Sequence, residues 1–256
     1  MTGTCEDCAY NVYDDEMDEY VCEAYLDEDE FYRVQTCGRA CPYYRSGDDY
    51  ALVRHQNAGE IQTMTESEKA QLGQLYNANH DPQLLNRRTW AKNLCMDYNQ
   101  LRWDEGVKRT ALLQELLGIC GEDAVIEPPF FVDYGKNICI GRSFYANHNL
   151  VILDGATVTI GNNVFIGPNC TISTAGHPFE ARLRGEGLEY AKAVTIGSNV
   201  WIGMGVQICP GVTIGDNAVI GAGSVVTKDV PAGWLAYGNP CVPVKAVEEK
   251  PVRRIL

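Results

Sequence analysis

The sequence predicts a mainly β fold: a parallel β-helix of six-residue repeats, preceded by a short helical segment and a small Cys-rich module. Three observations carry that prediction. Between Ile196 and Val226 a branched apolar residue recurs at every sixth position: Ile196, Ile202, Ile208, Ile214, Ile220 and Val226. Glycine follows four of the six, at Gly197, Gly203, Gly215 and Gly221. A second small or branched residue recurs four positions on, at Val200, Val206, Val212, Ala218, Ser224 and Val230. Six is neither the helical period nor strand alternation, so the pattern is an internal repeat whose units bury their apolar residues by stacking.

Each hexad predicts one flat face, with Ile or Val turned inward and the following Gly allowing a tight corner. Three faces close a triangular coil of about 18 residues, and coils stack at roughly the 4.8 Å spacing of paired strands. The register appears earlier at Ile140, Ala146 and Ile152, and again at Ile160, Ile166 and Ile172. It shifts by two residues at Val158–Ile160, which predicts a bulge or wider corner there.

The chain divides into four stretches. Residues 1–50 form an acidic, Cys-rich module holding 14 Asp/Glu against three Arg, while the other 206 residues are nearly neutral. Residues 51–124 are helical: Thr65 with Glu68 makes a capping box, Asp81-Pro82 starts a second helix running to Leu101, and a third spans about 107–117. Residues 125–247 are the β-helix, and 248–256 a tail. Between Gly176 and Val194 the hexads vanish into a charged loop, and long loops on rigid scaffolds are usually functional or disordered. The net charge of −13 and the lack of a basic face argue against nucleic acid. There is no run of 18 apolar residues and no apolar signal region after Met1, so no membrane partner and a cytoplasmic location are expected.

His177 stands at the mouth of the charged loop, in Ser173-Thr-Ala-Gly-His-Pro, and is one of only four His. An imidazole there is either a satisfied polar contact or a general base that takes a proton from an attacking alcohol. Asn147, in Tyr145-Ala-Asn-His-Asn-Leu, either stacks on a corner or offers an amide to a carbonyl or an acceptor hydroxyl.

Several runs in order then narrow the class: Asp133-Tyr-Gly-Lys-Asn-Ile, Gly141-Arg-Ser-Phe-Tyr-Ala-Asn-His-Asn, Gly176-His-Pro, Val194-Thr-Ile-Gly-Ser-Asn-Val-Trp-Ile-Gly, Gly221-Ala-Gly-Ser-Val-Val-Thr-Lys-Asp-Val-Pro and Gly238-Asn-Pro-Cys. Over about residues 59–247 the chain resembles the maltose/galactoside O-acetyltransferase group of hexapeptide-repeat enzymes. The resemblance implies a left-handed helix, although parallel crossovers are right-handed by default. It implies direct acetyl transfer from acetyl-CoA to a sugar hydroxyl, in homotrimers with active sites between subunits. By position it makes His177 the catalytic base, Asn147 a catalytic and acceptor contact, and Asp133 an acceptor-binding residue. The backbone N–H of Met204 falls at a CoA contact able to stabilise an oxyanion. Ala222, Thr227 and Lys228 fall along CoA, and Lys228 is alternatively a plain surface charge. Where the galactoside enzyme has two Arg near CoA phosphate this chain has Val242 and Lys245, which leaves Lys245 as a point charge. Acidic acceptor contacts of that enzyme become Ala78 and Gly155, so sugar specificity does not carry over.

The N-terminal cysteines are Cys5, Cys8, Cys22, Cys37 and Cys41. A Cys-x2-Cys pair followed by further Cys in a short polar segment predicts a tetrahedral metal knuckle, with zinc on Cys5, Cys8, Cys22 and Cys41 and with Cys37 the spare. Iron in rubredoxin style, or plain reduced thiols, are the alternatives. Among other functions, a solenoid carbonic anhydrase needs three His ligands, and only His148 and His177 lie in the repeats. A serine acetyltransferase would need a long helical N-terminal domain. The rival of another class is a non-catalytic trimeric scaffold that presents the Cys-rich module to a partner.

Overall fold

The computed structural model describes residues 11–14, 19–22 and 64–248. The chain falls into two units, Met1–Met64 and Thr65–Leu256. In the first, the strands Asn11–Asp14 and Glu19–Cys22 pair antiparallel as a hairpin. The predicted metal ligands Cys5, Cys8 and Cys41, and the spare Cys37, lie outside the described residues; Cys22 ends the second strand of the hairpin.

The second unit is a three-sided parallel β-helix. Its first face carries Ile119–Cys120, Ile138–Ile140, Val158–Ile160, Val194–Ile196 and Thr213–Ile214. Its second carries Val125–Ile126, Tyr145–Ala146, Phe165–Ile166, Trp201–Ile202 and Val219–Ile220, and ends in the antiparallel pair Trp234–Gly238 and Cys241–Ala246. Its third carries Phe130–Val132, Leu150–Leu153, Thr171–Ser173, Gln207–Ile208 and Val225–Val226. Register is kept coil to coil, as in Phe165↔Trp201↔Val219. The six repeat residues from Ile196 to Val226 are at most 2% exposed, and each buried side chain contributes about 1.5–3 kcal/mol.

The glycine after each inward residue serves a purpose other than the predicted one. The left-handed corner residue lies two positions later, at Asn199, Asn217, Gly205 and Gly223. Gly203 is needed because coils stack backbone on backbone: a Cβ there would come within 2.6 Å of the Ala222 nitrogen. Asparagines at the corners also join the coils, Asn163 Nδ2 donating to Asn199 Oδ1 and Asn199 Nδ2 to Asn217 Oδ1, each at 3.0 Å.

The wider corner is present, and it occurs twice. From inward Val132 to Ile138, and from Ile152 to Val158, the chain takes six residues where the later coil takes four, from Ile208 to Val212. Three helices precede the coils. In α1, Glu66–Gln71, the capping box forms, with Glu68 N–H donating to Thr65 Oγ1 at 3.2 Å and Thr65 N–H to Glu68 Oε2 at 2.8 Å. In α2, Pro82–Gln100, Asp81 is the N-cap and the buried stripe is Leu84, Ala91, Cys95 and Tyr98. This helix and α3, Gly106–Leu116, close the first end of the prism, their buried residues joining one core with Ile126, Phe130 and Ile138. Asn99 pairs reciprocally with the Phe130 backbone, accepting at 2.8 Å and donating at 3.0 Å.

The charged loop is ordered. Ala175–Gly176 pairs antiparallel with Leu188–Ala191, which pairs in turn with Tyr76–Asn77 of the helical segment. A short helix α4, Ala181–Gly185, caps the excursion. The loop thus links the third coil to the helical segment.

Candidate active site

The chain visits the faces in the order first, second, third, so every candidate residue can be assigned to an edge of the prism. Asn147, Met204 and Ala222 lie on the edge between the second and third faces, in the corners 147–149, 203–206 and 221–224, with the corner 167–170 stacked between the first two. Asp133, His177, Thr227 and Lys228 lie on the edge between the third and first faces. Within one chain the structure therefore does not bring His177 to Asn147.

At the third–first edge, His177 is exposed and Gly176 precedes it against the Tyr190 ring, where a Cβ would have no room. His177 Nδ1 lies 3.1 Å from the Leu188 carbonyl oxygen. A carbonyl only accepts, so this contact places the hydrogen on Nδ1 and leaves the Nε2 lone pair free. Leu188 is itself fixed by its register opposite Asn77. The imidazole is thus oriented by the excursion, and the excursion by the helical segment.

Below His177 the two wide corners enclose a polar cluster. Asp133 is half-buried, and burial raises its pKa above the ordinary carboxylate value, with Arg88 and Lys92 opposing and Glu189 reinforcing the shift. Tyr76, 1% exposed, donates its hydroxyl to Glu189 Oε2 at 3.1 Å, and burial raises its pKa. A Cβ on Gly155 would approach Tyr76 Oη to 2.8 Å, so the missing side chain at 155 makes room for that hydroxyl. Asp154 is fully buried, and burial pushes its pKa up to about 7. Sequence reasoning singled out neither Tyr76, Asp154 nor Glu189. Its available signal was the two-residue register shift, which marks the corner where Asp154 and Gly155 sit.

At the second–third edge, Asn147 folds its side chain onto the next residue, Oδ1 accepting from His148 N–H at 2.7 Å. Met204 is 59% exposed, and among the described residues its backbone N–H has no hydrogen-bond acceptor. A cleft of about 530 Å³ opens on the second face, lined by Trp201, Val219, Leu235, Lys245 and the chain after it. Lys245 is exposed and pairs by register with Leu235, while Val242 stands exposed nearer the turn of the hairpin. Among the described residues no cluster of three metal-ligating side chains occurs, and no helix is long and apolar enough to cross a membrane.

A capped hexad β-helix, broken once by an ordered excursion that aims an imidazole outward, defines a hexapeptide-repeat acyltransferase. Residues 69–121 match the maltose acetyltransferase hexapeptide capping motif, residues 193–228 the bacterial transferase hexapeptide, and residues 157–176 the hexapeptide repeat of succinyl-transferase. The chain belongs to the maltose/galactoside O-acetyltransferase family and is an acyltransferase. It is 56% identical over 178 residues to a putative acetyltransferase of Saccharomyces cerevisiae, covering 70% of this chain and 91% of that one. A maltose O-acetyltransferase from Clostridium difficile superposes with a TM-score of 0.71 at 48% identity, over 73% of this chain and 99% of that one. A galactoside acetyltransferase in complex with coenzyme A superposes with a TM-score of 0.70 at 47% identity, over 73% and 92%. Residues 2–57 match a separate domain of unknown function, DUF6472.

Proposed function

We propose that this chain transfers acetyl from acetyl-CoA directly to a hydroxyl of a sugar or related small acceptor, with His177 as general base. The observation that carries the proposal is the Nδ1 contact of His177 to the Leu188 carbonyl, which leaves Nε2 as a proton acceptor facing outward. His177 takes the hydroxyl proton as the oxygen attacks the thioester carbon. The oxyanion that forms is met by the Met204 backbone N–H, while Asn147 contacts the acceptor; it then collapses and CoA leaves as its thiol, taking the proton held by His177. Asp133 holds the acceptor. Acetyl-CoA as the co-substrate is supported by the coenzyme A complex of the similar galactoside enzyme, and the resemblance in sequence lays Ala222, Thr227, Lys228 and Lys245 along it.

The distribution of these groups over two edges supports a homotrimer. The second–third edge of one copy, set against the third–first edge of the next, completes a site that neither copy holds alone. This contact is heterologous, and repeated three times it closes a ring. Both edges bound the third face, so the ring turns that face to its axis. The acidic module is assigned a structural zinc on Cys5, Cys8, Cys22 and Cys41, supported by their spacing and by the scarcity of aliphatic residues around them.

Thiol release from acetyl-CoA in the presence of a panel of glucose, maltose, methyl galactoside and lysine tests the reaction. Turnover is expected with a sugar and is lost in His177→Ala, while CoA affinity is kept. Wild-type turnover in His177→Ala would remove the imidazole from the mechanism.

A further inference from the structure

The first wide corner is held by a buried charge that the reaction above does not use. Asp154 Oδ1 accepts from two successive backbone N–H groups of the preceding coil, Asp133 at 3.1 Å and Tyr134 at 2.8 Å. Its own carbonyl accepts from Asn137 Nδ2 at 2.6 Å, which closes the corner from the other side. Asp154 Oδ2 is buried and has no hydrogen-bond partner among the described residues. A carboxylate with one oxygen unmatched and no exposure is costly to fold, so a site that keeps one retains it against stability.

The position of the held peptide suggests what that cost achieves. The two donors belong to the peptides on either side of the Asp133 Cα, Val132–Asp133 and Asp133–Tyr134, so one oxygen fixes both planes and with them the direction in which the Asp133 side chain leaves the coil. Tyr134 is 4% exposed and packs with Tyr76, Ala78, Leu84, Ala156 and Ala191, where helical segment, wide corner and excursion meet. Arg87 and Arg88 lie over its ring at 5.4 and 5.8 Å. A rotation of either peptide would therefore move Asp133 and loosen the cluster beside His177.

We propose that Asp154 is a positioning residue for the acceptor: it holds the Asp133–Tyr134 peptide so that Asp133 is aimed at the acceptor hydroxyls before they bind. The proposal rests on the reading of Asp133 as an acceptor contact. The required feature is the acceptor oxygen at Oδ1 and not the charge, so an amide of the same shape suffices. Acceptor KM is measured with the fastest sugar of the panel, and backbone amide exchange is followed through residues 130–137. Asp154→Ala is expected to raise acceptor KM at least tenfold, keep the KM for acetyl-CoA within twofold, and speed exchange at the Asp133 and Tyr134 amides at least tenfold. Asp154→Asn is expected to restore acceptor KM to within threefold of wild type and to keep both amides protected. If the alanine variant does not fold, Asp154→Ser carries the test, since its shorter hydroxyl cannot reach both donors.

Three results overturn the proposal: an unchanged acceptor KM in Asp154→Ala, Asp154→Asn as impaired as Asp154→Ala, or unchanged exchange at both amides in the variant that lacks Oδ1. Asp133→Ala separates the two levels. If it leaves acceptor KM untouched, Asp133 is not an acceptor contact. If it raises KM while Asp154→Ala does not, only the positioning role fails.

Discussion

Mixing two inactive variants provides a direct test of a site shared between copies. His177 follows the third face and Asn147 the second, so the proposed trimer would build each complete site from one residue of each of two neighbouring chains. Loss of a general base lowers turnover by about 10²–10⁴-fold. Loss of an oxyanion or acceptor contact lowers it by about 10²-fold or more. Purified alone, His177→Ala and Asn147→Ala should therefore each fall to about 1% of wild type or less. Co-expressed under two different tags at equal amounts, they assemble at random. A site then draws an intact His177 with probability one half and an intact Asn147 with probability one half. About one quarter of the sites recover, some 25-fold above either parent. Recovery follows the product of the two fractions, so it peaks at equal mixing and falls off on both sides.

The converse mixture sharpens the test. Wild type mixed equally with the double variant His177→Ala/Asn147→Ala keeps about one quarter of its sites if they are shared, and one half if each chain carries its own. Thiol release is measured on the whole trimer pool, to which these random-assembly fractions apply, and elution by both tags in succession serves only to verify that the chains have mixed. Mixed trimers no more active than their parents, together with half activity in the converse mixture, would refute the assignment of His177 and Asn147 to different chains of one site.

Other outcomes follow from the stacking of the coils and from buried charge. Gly203→Ala should cost about 3 kcal/mol in urea unfolding, because the new Cβ meets backbone of the next coil and no rotamer can relieve it. Gly205→Asn should cost under about 1 kcal/mol, since that corner is left-handed with open space beside it and Asn adopts the same conformation at Asn169, one coil away. Asp154 titrates at about 7 when folded, against about 4 unfolded, so the folded state binds the extra proton between those values. Its burden on stability is absent below pH 4, grows as pH rises to 7 and persists above. Asp154→Asn should therefore gain on wild type by on the order of 4 kcal/mol between pH 4 and pH 8, read from urea unfolding at fixed protein concentration. Purified full-length chain should carry about one zinc per chain by elemental analysis, lost in Cys5→Ser/Cys8→Ser; equal, near-zero metal in both would remove the zinc proposal.

Much of the fold was legible because a hexad solenoid writes its geometry into single positions. Each inward Ile or Val has one place to go, and the register can be counted along the chain without knowing any distant contact. The same count holds the split of the site, since Asn147 directly follows inward Ala146 while His177 follows inward Ile172, one face further on. The role of the glycines was less legible. A glycine at a corner suggests a left-handed residue, and only the stacking of backbones shows that Gly203 and Gly161 yield space to the next coil while their neighbours make the turn. Least legible was the excursion. Leu188–Ala191 pairs with a two-residue strand more than 100 positions earlier, and neither segment has the alternation or length that marks a strand alone.

That excursion also divides the labour within the unit. The groups assigned to acetyl-CoA sit on plain repeat corners such as Met204 and Ala222, where the backbone is fixed by coils above and below. The groups of the proposed acceptor cluster come from three places at once: Tyr76 from the helical segment, Asp133 and Asp154 from the wide corners, and Glu189 from the excursion. A substitution in any of these three places would reshape that proposed cluster without disturbing a repeat. The wide corners and the excursion interrupt the repeat on the same edge for this reason. A regular four-residue corner has room for a backbone turn and little else, and acceptor recognition needs side chains that converge from separate elements.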